Sequence, residues 1–153
     1  VSDRTPIQCR TLSASERPLL NKFYKSQSSP MRASESGEAW VARAGEIVAA
    51  LNLSPVPGGH WLTGLLVASE WRRRQVARQL VEQACQQAGG CIWLFCHPDL
   101  QDFYQRLGFA VSEAMPAMLG ERLARYRRSK PLLAMVRGQS SAAGSSPGNS
   151  TSV

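Results

Sequence analysis

The chain is short of acid, of histidine and of long apolar runs. Its 153 residues carry 11 Asp+Glu against 18 Lys+Arg, a formal net charge of +7. Only His60 and His97 are available as imidazoles, and none of Cys9, Cys85, Cys91 and Cys96 lies at C-x-x-C spacing from another. That excludes the usual zinc and redox motifs, and no metal is expected. No uninterrupted apolar run approaches the roughly 18 residues of a membrane span, so no membrane partner is expected. The N-terminus lacks the apolar stretch of a secretory leader, although a chain starting at Val1 leaves earlier trimming open. Aromatic residues make up only 7%, yet the hydrophobic fraction is 43%. Collagen-like and wholly disordered chains are thereby excluded. The length suits one domain that builds a core without disulfides. The cysteines read as buried free thiols of a reducing, cytoplasmic compartment.

What the chain has in quantity is arginine, which supplies fifteen of the 18 basic residues. Arg72, Arg73, Arg74 and Arg78 form one group. Arg122, Arg125, Arg127 and Arg128 form another with Lys130. A guanidinium meets phosphate with a planar fork of donors. Two groups of them suggest a phosphate-bearing partner: a nucleotide cofactor, nucleic acid or a membrane surface. A solvated basic surface is the plainer alternative.

Gly138 to Val153 contains nine Gly or Ser and no charged side chain. Such a segment buries too little apolar surface to offset its ordering entropy. Residues 1–137 are therefore expected to fold and 138–153 to form a disordered tail. Alternation over Ile7–Leu12 predicts a first strand. Ser13 or Ser15 would cap a helix to about Lys25, with Leu19, Leu20, Phe23 and Tyr24 on one face. Ala39–Arg43 and Glu46–Leu53 predict a hairpin, and Trp61–Val67 an apolar strand. Val76, Leu80, Val81, Cys85 and Ala88 mark one face of a helix that Gly89-Gly90 ends. Cys91–Cys96 suits a strand buried on both faces. A helix from Pro98 to about Leu107 stops at Gly108. Phe109–Glu113 and Pro131–Arg137 read as final strands, with partial helix from Leu119 to Tyr126 between them. This order predicts an α/β domain with a mixed sheet.

Leu65–Leu80 reads LLVASEWRRRQVARQL, a strand, a turn and then a helix with arginines at its start. Arginine opposes the dipole there, whereas the free N–H groups of a helix N-terminus receive anions. An ordinary basic strand–helix connection is the competing reading. At this point the sequence resembles the GNAT superfamily of acyl-CoA-dependent N-acetyltransferases. Arg72-Arg73-Arg74-Gln75-Val76-Ala77 aligns with that family's Arg/Gln-x-x-Gly-x-Gly/Ala motif, after Glu70-Trp71. The second motif is His97 to Phe109, HPDLQDFYQRLGF, with Phe103-Tyr104 and Gly108-Phe109 in place. Gln75 departs from the family glycine and puts bulk beside the phosphates. His97 stands where asparagine is frequent.

The resemblance implies a mostly antiparallel mixed sheet of six to seven strands flanked by helices. It also implies acetyl-CoA as co-substrate and an amine-bearing small molecule or protein as acceptor. The backbone of Leu65, Leu66 and Val67 would pair with the pantetheine arm. The N–H groups of Arg72, Arg73, Arg74, Gln75, Val76 and Ala77 would hold the diphosphate, with the side chains of Arg72 and Arg73, or of Arg78, in reach of its oxygens. His97 would contact pantetheine or face solvent. Tyr104 would be the general acid for the leaving thiolate, against the reading of a core aromatic. Glu46 and His60 are candidate bases, or else a hairpin charge and a turn residue. Trp40, Trp61 and Trp93 read as core, while Trp71 would stack on an arginine or on adenine. The alternative function is a degraded GNAT-fold module that binds nucleic acid or protein through 121–130. A homodimer is left open.

Overall fold

Among the described residues, alternating and apolar runs become seven strands, and 3.6-residue periodicity becomes four helices. The computed structural model describes residues 6–33, 37–73 and 75–138. The strands are β1 (Gln8–Thr11), β2 (Glu38–Ala44), β3 (Glu46–Val56), β4 (Gly59–Val67), β5 (Cys91–Cys96), β6 (Ala110–Val111) and β7 (Leu133–Arg137). The helices are α1 (Arg17–Ser26), α2 (Val76–Ala88), α3 (Gln101–Arg106) and α4 (Ala117–Tyr126). Hydrogen bonding orders the sheet β1-β2-β3-β4-β5-β7-β6. β1–β2, β2–β3, β5–β7 and β6–β7 are antiparallel, and β4–β5 is parallel. The expected mixed, mostly antiparallel sheet is therefore present.

The chain forms two compact units. One comprises the residues up to Ser54 together with Leu62–Gln87. In it, Pro18 lies in the first turn of α1, where its missing N–H costs nothing. Helix α1 buries Leu20, Phe23 and Tyr24 in a cluster with Leu12, Val41, Ala50 and Ala68. Trp71 packs on this cluster, an assignment different from the stacking role its neighbouring arginines suggest. Helix α2 spans the residues its periodicity predicts and buries Val76, Leu80, Val81, Ala84 and Cys85.

The other unit comprises Pro55–Trp61 and the residues from Ala88 onward. Strand β5 pairs with β7 from Ile92↔Arg137 to Cys96↔Leu133. Ile92, Leu94, Leu119, Leu123, Ala134 and Met135 are buried in this unit. A fully buried leucine stabilises by roughly 1.5–3 kcal/mol, and cutting it to alanine costs about 2–5 kcal/mol with the cavity included. Leu119→Ala is the substitution of that kind in α4.

Three local expectations change. The helix from Pro98 divides into a 3-10 turn, Pro98–Leu100, and α3. The strand expected over Phe109–Glu113 shortens to Ala110–Val111, and Ser112 N–H adds one last bond to β7, at Ala134 C=O, 3.0 Å away. Cys85 and Cys96 are buried thiols, whereas Cys9 and Cys91 are half-buried, and none of the four is in a disulfide. No helix among the described residues is long and apolar enough to cross a membrane. The expected tail lies, beyond Gly138, outside the described residues.

Candidate active site

Within the first unit, Gly64 interrupts β4 in the left-handed region at φ 69°. A side chain there would be strained, and its Cβ would meet the Tyr24 hydroxyl oxygen at 3.0 Å. Glycine inside a strand marks such an irregularity or a close approach. The Tyr24 hydroxyl donates to the Gly64 carbonyl at 2.8 Å. Burial pushes the Tyr24 phenol up to about 12, so it remains a neutral donor. Leu65, Leu66 and Val67 follow this kink and are half-buried.

After Val67 the chain turns sharply. Ala68 N–H donates to Val48 C=O at 2.8 Å, and Ser69 N–H to Gln27 Oε1 at 3.1 Å. Arg72 Nε reaches back to the Val67 carbonyl at 3.1 Å. Arg73 and Gln75 are both left-handed, at φ 66° and 65°. Gln75 therefore stands ahead of α2 rather than inside a helix, in a conformation that favours the family's glycine. Turns of this hand beside a helix N-terminus present backbone N–H groups to anions. Val76, Ala77 and Arg78 are the first residues of α2, so their N–H groups have no acceptor within the helix. Arg78 Nε donates to Gln75 Oε1 at 3.2 Å, and its Nη1 lies 3.8 Å from Glu82 Oε2. Arg74 lies outside the described residues.

In the second unit, parallel pairing of β4 with β5 covers Gly59↔Cys91, His60↔Ile92 and Trp61↔Trp93. His60 Nδ1 is buried and finds no hydrogen-bond partner among the described residues. His97 is exposed, and its Nδ1 accepts the Asp99 N–H at 3.1 Å, which caps the turn into α3. Tyr104 on α3 sits edge-on to Phe103 and Phe109, with centroids 5.0 and 5.9 Å away. Burial, with a smaller contribution from the Cys96 thiol, pushes its phenol up to about 12. Tyr104 is thus a partly sheltered neutral O–H donor at physiological pH. Glu46 opens β3 in the first unit, exposed at the β2–β3 hairpin and lining a pocket there.

Sequence reasoning gave no part in the site to Gly64, Gln27 or Cys96. Only Gly64 left a signal, a glycine within an apolar strand. The basic segment also changes character. Arg127 forms a forked pair with Glu113 at 3.1 and 2.9 Å, and Arg122 lies 4.9 Å over the Trp61 ring. Trp61 itself is half-buried rather than core. Trp40 and Trp93 are buried, as expected.

The family model of the acetyltransferase (GNAT) domain matches residues 35–111, half of the chain. The chain belongs to the GNAT family. A search of curated proteins finds no match. Among solved structures, this GNAT chain is similar to Escherichia coli ElaA, at 17% identity and TM-score 0.61, covering 87% of this chain and 100% of that one. It is similar to an acyl-CoA N-acyltransferase from Pseudomonas aeruginosa, at 20% identity and TM-score 0.56, covering 87% and 99%. A third likeness is N-acetylglutamate synthase from Neisseria gonorrhoeae, solved with coenzyme A and N-acetyl-glutamate. There the identity is 12% and the TM-score 0.66, covering 88% of this chain and 35% of that one. These likenesses show the GNAT fold.

Proposed function

We propose that this GNAT protein transfers the acetyl group of acetyl-CoA directly to a primary amine, in a reducing, cytoplasmic setting. The observation that carries the reading is the turn between β4 and α2. Its left-handed residues 73 and 75 precede the first N–H groups of α2, at Val76 and Ala77, which have no acceptor within that helix, and Arg72 and Arg73 are on the same turn. This is the chemistry a diphosphate requires. Leu65, Leu66 and Val67 would offer backbone groups to the pantetheine arm, with His97 Nε2 as a further contact. The CoA-bound synthase of the same fold supports the choice of donor.

In the proposed reaction the neutral amine nitrogen attacks the thioester carbonyl carbon. The tetrahedral intermediate then collapses with cleavage of the C–S bond. The departing thiolate takes the proton of Tyr104, whose raised phenol pKa keeps that proton available. A backbone N–H near Val67 would stabilise the oxyanion. Glu46 and His60 are the candidate bases for the proton that leaves the amine. Calorimetric titration of the full chain with acetyl-CoA tests the cofactor half of the proposal. Saturable binding that weakens on Arg72→Ala is expected, and absence of binding at millimolar acetyl-CoA removes the reading.

A further inference from the structure

The pocket that Glu46 lines in the first unit carries three further charges, on Lys22, Arg43 and Glu70, that the transfer chemistry leaves unexplained. Its volume is about 250 Å³. The apolar lining comes from Leu19 and Phe23 on α1, Ile47 and Val48 on β3, and Ala68. Lys22, Arg43, Glu46 and Glu70 line it as well. No ion pair joins any two of these four, although two cations and two carboxylates share one small opening.

Arg43 is the informative member. Its Nη1 is buried and has no hydrogen-bond acceptor among the described residues. A guanidinium keeps its charge at every accessible pH, so it cannot relieve this by losing a proton. An unsatisfied buried donor costs about 1–3 kcal/mol, and more when charged. Arg43 is on β2, where the pairing with β3 shifts register between Ala42 and Arg43. The irregular pairing lies beside the pocket-lining residues Glu46, Ile47 and Val48. Lys22 adds a second cation from α1, and Glu46 and Glu70 supply acceptors for an ammonium.

We propose that this pocket binds a free α-amino acid with an apolar side chain of about leucine size. The carboxylate would meet Arg43, with Lys22 beside it. The guanidinium would turn to set Nη1 on a carboxylate oxygen, giving the forked geometry in which such pairs are strongest. The ammonium would lie between Glu46 and Glu70, and the side chain on Phe23, Ile47 and Leu19. Each end of the ligand answers charges that the protein leaves unpaired. The inference concerns binding alone: it shares Glu46 with the acetyl-transfer reading, but it requires neither acetyl-CoA nor turnover.

The test is an amide chemical-shift titration of the full chain, without acetyl-CoA. The probes are L-leucine, 4-methylpentanoate, which lacks the ammonium, and isopentylamine, which lacks the carboxylate. Leucine is expected to bind saturably with shifts at Arg43, Glu46, Ile47 and Val48, and each analogue at least about tenfold more weakly. Arg43→Met should weaken leucine by about tenfold or more while leaving isopentylamine unchanged. The proposal is overturned by unsaturated shifts at millimolar leucine, by equal affinity for the analogues, or by a folded Arg43→Met that binds leucine normally. If that variant does not fold, the comparison of the three probes on the unaltered chain decides alone.

Discussion

The Tyr24 hydroxyl holds the Gly64 carbonyl at 2.8 Å, tying the buried face of α1 to the left-handed kink inside β4. The bond orients the strand just before Leu65, Leu66 and Val67. Tyr24→Phe leaves that carbonyl without its donor and should cost about 1–3 kcal/mol. Urea unfolding measures the cost. Turnover should fall more than this stability loss explains if the kink positions the reacting strand, and unchanged kcat in the folded variant would separate the two.

Tyr104 is the general acid in the proposed reaction. Tyr104→Phe should lower kcat by about 100-fold or more with little change in KM for acetyl-CoA. Unaltered turnover removes Tyr104 from the mechanism.

Both buried phenols predict a particular alkaline response. Tyr24 and Tyr104 have native values raised from 10.0 to about 12. The neutral phenol is therefore the form favoured by folding. Its contribution is complete below pH about 10 and is lost as pH rises toward about 12. Ultraviolet difference titration of the native chain should show two tyrosines that resist ionisation until well above pH 10. Normal ionisation of both would contradict the burial argument.

Gln75 occupies a left-handed position that costs a non-glycine residue roughly 1–2 kcal/mol. Gln75→Gly should tighten acetyl-CoA binding by removing bulk beside the phosphates. Its effect on stability should be neutral or favourable by up to about 1 kcal/mol, because glycine also loses more freedom on folding. Paired calorimetry and thermal melts give both numbers, and weaker acetyl-CoA binding would count against the site.

Glu16 gives the acid counterpart. The Arg10 side chain, then the backbone and side chain of Ser13, hold its carboxyl at about 2. Its native value is lowered, so its contribution is present above the ordinary value of 4.5 and fades as pH falls through about 2. Carboxyl titration by NMR should place Glu16 near that value, and Arg10→Ala should return it toward the ordinary one. An ordinary titration in the unaltered chain would refute the network.

Much of the architecture was legible along the chain. The helix at Val76–Ala88 and the strand at Cys91–Cys96 agree with their predicted bounds, because periodicity and flanking glycines are local properties. Edges were read less well. Residues 109–113 carry strand-like composition, but only two of them find a ladder, since pairing depends on where β7 lies. The two motifs named the candidate site residues from the residue types alone, and ligand binding remains the test of them.

The sequence by itself determined the element order, the family and the arginine-rich turn, because each follows from neighbours within a few residues. Only the tertiary structure decided which groups are altered by their surroundings. Tyr104 has its raised pKa from burial beside Cys96. Gly64 has its partner in Tyr24, 40 positions away. Arg43 has its stranded donor from packing in the first unit. Desolvation and hydrogen-bond satisfaction depend on residues brought close by folding, and no local pattern encodes them.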